Sequence, residues 1–249
     1  MINVKLSLVT ITYNAAKTIQ QCIDSVAGQT YKNVEYIVID GNSSDGTADI
    51  IRQNKAHIHY FKSEADDGIY DAMNKGIMKS TGDVVGLLNA DDYFANDNVL
   101  SEIAESFVQN NPDLLYADLD YVNQIGRVMR KWRSGNYSPG KFNWGWMPPH
   151  PTFYAKREMF EELGFYNPAY GTAADYELML RFMHTNKAKV CYLNKVIVNM
   201  TQGGVSNQNL LNRIQAWRCD FRAMANNNIS MPFLGLVLKP LRKIGQFIG

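Results

Sequence analysis

The sequence predicts an α/β protein built on a doubly wound, mostly parallel sheet, and three observations predict it. Short β-rich runs occur at 5–11 (KLSLVTI), 34–40 (VEYIVID) and 83–88 (DVVGLL). They are apolar almost throughout, as strands covered on both faces are. Apolar residues recur at helical spacing between the runs, and each run ends in a polar cluster. Strand–helix–strand alternation of this kind builds parallel sheets.

The first run ends in Thr12-Tyr13-Asn14, after which Ile19, Cys22, Ile23 and Val26 mark the inner face of a helix. The second ends in DGNSSDGT (40–47), followed by a helical face of Ile69, Ala72, Met73 and Gly76-Ile77. The third leads to Asn89-Ala90-Asp91-Asp92, and a helix over 98–109 is expected with Asp97 as its N-cap. Residues 114–122 and 127–132 read as antiparallel strands about a turn at 124–126. The passage SGNYSPGKFNWGWMPPHPTF (134–153) reads as loop or lid rather than core. A helix over 173–184, a strand over 189–198, a loop over 201–209 and a helix over 210–225 complete the pattern.

With 25 Lys plus Arg against 24 Asp plus Glu in 249 residues, nothing in the charge points to nucleic acid. The three cysteines (Cys22, Cys191, Cys219) lack C-x-x-C spacing, which argues against a disulfide framework or zinc site and for a reducing cytosol. Neither a signal peptide nor a membrane-spanning run is visible, so a cytoplasmic location is expected.

Ligands of open parallel sheets bind beyond the carboxyl ends of the strands, so the three polar clusters should meet along one edge. Neither G-x-G-x-x-G after the first strand nor G-x-x-x-x-G-K-[ST] occurs, which removes the common dinucleotide and P-loop signatures. An anionic ligand here needs positive charge from elsewhere. Asp91 and Asp92 are hard oxygen ligands that suit Mg2+ or Mn2+, and such an ion clamps a diphosphate. The pair also reads as a turn and N-cap. In SEADDGIYDAMNKGI (63–77), Asp66 and Asp71 are assigned to the site, whereas Asp67 reads as a solvated acid at a helix start.

VTITYNAAKTIQQCIDSVAGQTYKNVEYIVIDGNSSDGT, SEADDGIYDAMNKGI and GDVVGLLNADDYF, in that order, closely resemble glycosyltransferase family 2 of the bacterial surface-polysaccharide type. These are inverting enzymes of the GT-A fold. The resemblance implies a Rossmann-like sheet flanked by helices, with an antiparallel and helical acceptor-side part. It implies that Thr10, Tyr13 and Asp40 hold the nucleotide, Asp40 through the base, and that Asp66 and Asp71 lie against the nucleotide sugar. Asn89-Ala90-Asp91 stands where the family has D-x-D, with Asp91 on ribose or metal and Asp92 supporting it. Asn89 is a weaker, uncharged ligand in the first position. On this reading 1–225 is one domain, with a nucleotide-sugar half near 1–110 and an acceptor half near 111–225, and 226–249 is a tail.

The implied reaction is an in-line displacement of a nucleoside diphosphate by an acceptor hydroxyl. It needs charge stabilisation on the leaving group and a base for the hydroxyl proton. The resemblance gives the base role to Asp175, in GTAADYELMLRF (171–182), although Ala174 stands where the family commonly has Glu. Asp175 also reads as a helix cap, and Glu177 is an alternative base. His150 is either a structural hydrogen-bonder or a group on the acceptor side. Arg181 either pairs with a core acid or reaches a phosphate. Gly203-Gly204-Val205-Ser206 resembles a loop that closes over the diphosphate.

In MPFLGLVLKPLRKIGQFIG (231–249), Leu234, Val237, Leu238, Leu241, Ile244 and Ile248 follow a helical repeat, with Lys239, Arg242, Lys243 and Gln246 opposite. Such a basic amphipathic helix either lies on an anionic membrane or packs on its own domain, and Pro240 interrupts it. The membrane reading suits a polyprenyl-diphosphate-linked saccharide acceptor. QAWR at 215–218 does not match the Q-x-x-R-W of polymerising relatives, so addition of one sugar is expected. A nucleotidyltransferase and a non-catalytic nucleotide-sugar-binding module are the competing classes.

Overall fold

The structure, a computed structural model, describes residues 3–201 and 210–247. Its elements in chain order are β1 (Leu6–Thr12), α1 (Ile19–Ala27), β2 (Val34–Asp40), α2 (Thr47–Gln53), β3 (Tyr60–Ser63), α3 (Ile69–Lys79), β4 (Val84–Leu87), β5 (Asp92–Phe94) and α4 (Val99–Asn110). There follow β6 (Leu114–Val122), β7 (Val128–Trp132), β8 (Tyr154–Lys156), α5 (Arg157–Leu163), α6 (Ala174–Met179), β9 (Val190–Thr201), α7 (Leu210–Asn226) and α8 (Pro232–Leu241).

All seven residues of β1 are buried because the strand is covered on both faces. Leu6 and Leu8 join the cluster under α1 and α4, while Val9 and Ile11 join the one under α3. That is why its sequence is a continuous apolar run rather than an alternation. One sheet runs in the order β3-β2-β1-β4-β8-β6-β9-β5, with β7 added on β6. The first four strands are parallel, β1 and β2 in register from Leu6↔Val34 to Thr12↔Asp40. At β4 the direction reverses, because β8 pairs antiparallel with β4 and with β6.

Several expectations change. The passage 134–153 is core rather than lid: Phe142, Trp146 and Phe153 are buried. Trp146 donates to the Ser134 carbonyl and meets Phe142 edge-on at 5.2 Å. Short 3-10 turns at Lys141–Trp144 and His150–Thr152 break any period while pointing the rings inward. The N-cap of α4 is Asn98, not Asp97. The helix expected over 173–184 is α6 followed by a π turn, Leu180–Thr185. Of the tail at 226–249, α8 packs on the rest of the chain, with Gly235 seated against Met224 and Asn143.

Candidate active site

Because β1 and β2 end in register, Thr12 lies opposite Asp40, and the Gly41 amide donates to the Thr12 carbonyl. Asp40 is fully buried, and its carboxylate accepts from the Ser43 hydroxyl and amide and from the Ser63 hydroxyl at 2.6 Å. It therefore fixes the turn after β2, with Oδ2 accepting two hydrogen bonds and Oδ1 one. Asp45 ties the turn to the start of α2 through Thr47 and to the Ala16 amide. Asn14, at φ 50°, binds the same turn through the Ser44 amide.

This closed turn leaves one wall open. Tyr13 is 68% exposed, an aromatic ring with no packing duty. A Cβ at Gly41 would fall 2.6 Å from an Asp66 carboxylate oxygen and 3.4 Å from the Tyr13 ring, so a side chain there would make Asp66 shift. Tyr13, Gly41 and Asp66 thus form a contiguous face, with the Thr12 hydroxyl buried and unpartnered at its base.

Two expected members lie elsewhere. Thr10 faces the core, between the Cys22 thiol and the Tyr36 hydroxyl, because strand residues two apart share a face and Thr10 sits too far below the rim. Thr12, the last strand residue, is the threonine that stands at the rim. Asp71 accepts the Asp67 amide and pairs with Lys75 at 2.9 Å. The Lys75 bond holds its carboxyl below the usual range, so its charge is answered within α3.

On the other side of β1, Asn89 donates to Asp92 at 3.0 Å, and Asp92 is only 1% exposed. Burial, then the charge of Asp91, pushes the Asp92 carboxyl well up. Asp92 thus backs Asn89 instead of standing beside Asp91 as a second open ligand. Asp91 is half-buried, and burial raises its pKa while His150 opposes the rise. Among the described residues no group of three or more metal-binding side chains occurs. What does occur is a pair of buried, unpartnered oxygens, Asn89 Oδ1 and Asp92 Oδ1, next to the Asp91 carboxylate. With Asp92 turned to Asn89, the Asn89 oxygen and the Asp91 carboxylate are the donors left, hard oxygens of the kind Mg2+ or Mn2+ takes with water and phosphate in its other positions.

His150 links this rim to Asp175. Its Nε2 lies 3.4 Å from the Asn89 amide nitrogen, and its Nδ1 lies 3.8 Å from Asp175. An amide N–H facing Nε2 leaves the ring proton on Nδ1, toward the carboxylate. Burial lowers the pKa of His150 against the pull of Asp175 and Asp91, which favours the neutral ring. Asp175 sits in the first turn of α6, where one oxygen accepts the Tyr176 amide at 2.7 Å. Tyr70 stacks on Tyr166 at 5.6 Å, and burial followed by the Asp175 charge raises the pKa of both phenols. Asn74 holds Tyr166 by its amide and carbonyl.

Glu177 and Arg181 do not belong to the acceptor side. Glu177 is buried, and all five Arg181 donors are engaged, two by Glu177 and three by the carbonyls of Leu163, Gly164 and Phe165. No donor remains for a phosphate. The pair anchors the chain that delivers Tyr166. The 203–206 loop lies outside the described residues.

Tyr70 and Tyr166 escaped the sequence reading, and Thr12 entered it only as part of a polar strand end. Thr12 was detectable, being adjacent to Tyr13 at the strand end, but nothing local marks the two tyrosines.

The profile of glycosyl transferase family 2 matches residues 7–171. A PGL/p-HBAD biosynthesis glycosyltransferase of Mycobacterium bovis is 29% identical over 210 residues, covering 81% of this chain and 78% of that protein. An uncharacterized glycosyltransferase of Mycobacterium tuberculosis is 30% identical over 186 residues, covering 71% and 68%. Among solved structures, S. aureus TarS 1-349 in complex with UDP-GlcNAc has a TM-score of 0.69 at 17% identity, covering 89% of this chain and 66% of that one. The alignment spans only 39% of the longer TarS chain. Mannosyltransferase PcManGT from Pyrobaculum calidifontis, in complex with GDP-Man and Mn2+, has a TM-score of 0.67 at 16% identity, covering 95% and 69%. These likenesses are those of the GT-A fold.

Proposed function

Because the chain belongs to glycosyltransferase family 2, we propose that this glycosyltransferase moves one sugar, with inversion, from a UDP- or GDP-sugar to a saccharide hydroxyl. The acceptor on this reading is carried on a polyprenyl diphosphate at the cytoplasmic face of a bacterial membrane, in surface-polysaccharide synthesis. Support for donor binding comes from the open wall of Tyr13, Gly41 and Asp66 beside Asp91, all at the carboxyl rim of parallel strands. The relatives in complex with UDP-GlcNAc and GDP-Man suggest the two nucleotides.

The observation that carries the catalytic reading is the connection Asn89–His150–Asp175. It joins the leaving-group side of the rim to a carboxylate across from it, as an in-line displacement requires. Tyr13 stacks on the base, Thr12 supplies a hydroxyl to it, and Asp66 lies against ribose or sugar. Asp91 and the unpartnered Asn89 oxygen would hold Mg2+ or Mn2+, which when bound would supply positive charge to a departing diphosphate. Asp175 takes the acceptor proton on the oxygen that Tyr176 leaves free. Neutral His150, with its Nδ1–H toward that carboxylate, keeps Asp175 oriented.

The test is Asp175→Asn. Loss of a general base lowers kcat by about 10²–10⁴-fold, measured as nucleoside diphosphate release with a matched donor and acceptor, while donor affinity stays at the wild-type value. Near-wild-type turnover by a folded variant removes Asp175 from this role. Release of pyrophosphate instead of nucleoside diphosphate would favour the nucleotidyltransferase class.

A further inference from the structure

One face of α8 carries Phe233, Val237 and Leu241, which are 72%, 46% and 53% exposed, and Ile244 continues the line at 57%. Steps of four residues stack these side chains on a single stripe. The stripe is not the helix's core face, because the core face is accounted for. Gly235 backs onto Met224, and a Cβ at Gly145 would fall 2.5 Å from the Lys239 amide nitrogen. Lys239, expected on an outer polar face, turns inward to Asp220 at 2.6 Å and lies over the Tyr176 ring.

Cations gather where the stripe ends. Arg242 and Lys243 are exposed. Lys141 stands close enough to Arg242 for their charges to repel. Partial burial lowers the Lys243 pKa, repulsion from Lys239 and Arg130 adds to the lowering, and Asp220 and Asp175 oppose it. Residues 210–249 hold six Lys and Arg against one acid, Asp220, which is already paired with Lys239. A second copy of the chain docking here about a twofold axis would bring like charges together. An anionic surface would not.

We propose that α8 docks on an anionic membrane, with the stripe in the lipid interface and Arg242 and Lys243 against lipid phosphates. The helix packs on the 141–144 turn that leads to His150, and Lys239 overlies the neighbour of Asp175. Docking therefore sets the acceptor side beside the lipid surface. The idea rests on the lipid-linked acceptor reading only for its purpose, since binding is measured without substrate.

Flotation of the full chain with phosphatidylcholine vesicles, with and without phosphatidylglycerol, tests it. The wild-type chain is expected to float with the anionic vesicles and to be released by raised salt. Phe233→Ser, Val237→Ser and Leu241→Ser combined weaken binding by at least about tenfold without changing the melting temperature, since all three side chains are exposed. Lys243→Glu alone reduces the preference for phosphatidylglycerol. Transfer to a soluble acceptor stays at the wild-type level in the triple variant, so failure of docking and failure of the transfer reading are separable. Equal binding by the triple variant, or no binding of wild type to anionic vesicles, overturns the proposal. A wild-type dimer that the triple variant dissociates, without vesicle binding, assigns the stripe to self-association and overturns it too.

Discussion

Asp92 gives the rim a pH signature. Burial and Asp91 raise its folded pKa above the unfolded value of about 3.9. Above that value the native state holds more protons than the unfolded one, so stability falls as pH rises from there toward the folded pKa. Asp92→Asn removes the titration and preserves the shape. In chelator-treated protein the variant is expected to melt a few degrees higher at neutral pH (~2–4 °C per kcal/mol), with the gap closing toward pH 4; thermal melts at both pH values measure it. Arg181→Ala leaves the Glu177 carboxylate buried without its partner and should cost about 3 kcal/mol of stability, with nucleotide affinity unchanged, as read by urea denaturation and calorimetry. Asp175 and His150 entered the sequence reading through the family resemblance, and the structure sets His150 Nδ1 3.8 Å from the Asp175 carboxylate. Of the two readings of Arg181, pairing with a core acid holds, through Glu177 one turn earlier, whereas its carbonyl partners at 163–165 are revealed by no spacing. The resemblance chose Thr10 over Thr12 because depth along a strand is set by register.

The 134–153 passage shows where element reading stops. Its aromatics fill the cluster that supports α6, so Phe142→Ala should destabilise the fold by about 3–5 kcal/mol; a lid would tolerate the change, and a denaturant midpoint separates the two. Long elements with two covered faces or a clear helical stripe were legible, among them β1, β2, α1 and α3. The strands β3, β5 and β8 have only three or four residues each, too few to express a period. The amphipathic reading of α8 identified a helix but not which side was seated, because the Asp220 partner of Lys239 lies nineteen residues away.

Across the whole molecule, the parallel order β3-β2-β1-β4 brings the three polar strand ends together, as the alternation of the first half implied. The reversal at β4 and β8 then folds the second half back so that His150 and Asp175 face Asn89. That pairing joins segments far apart in the chain, and no local pattern encodes it. The central claim is that this rim is a nucleotide-sugar site with Asp91 on its diphosphate side and Asp175 outside donor binding. Calorimetric titration of UDP and GDP, with Mn2+ present, into wild type, Asp91→Ala and Asp175→Asn tests it most directly. The expected result is saturable binding of at least one nucleotide, weakened at least about tenfold by Asp91→Ala and unaltered by Asp175→Asn. No saturable heat from either nucleotide, or equal affinity in the Asp91→Ala variant, contradicts it.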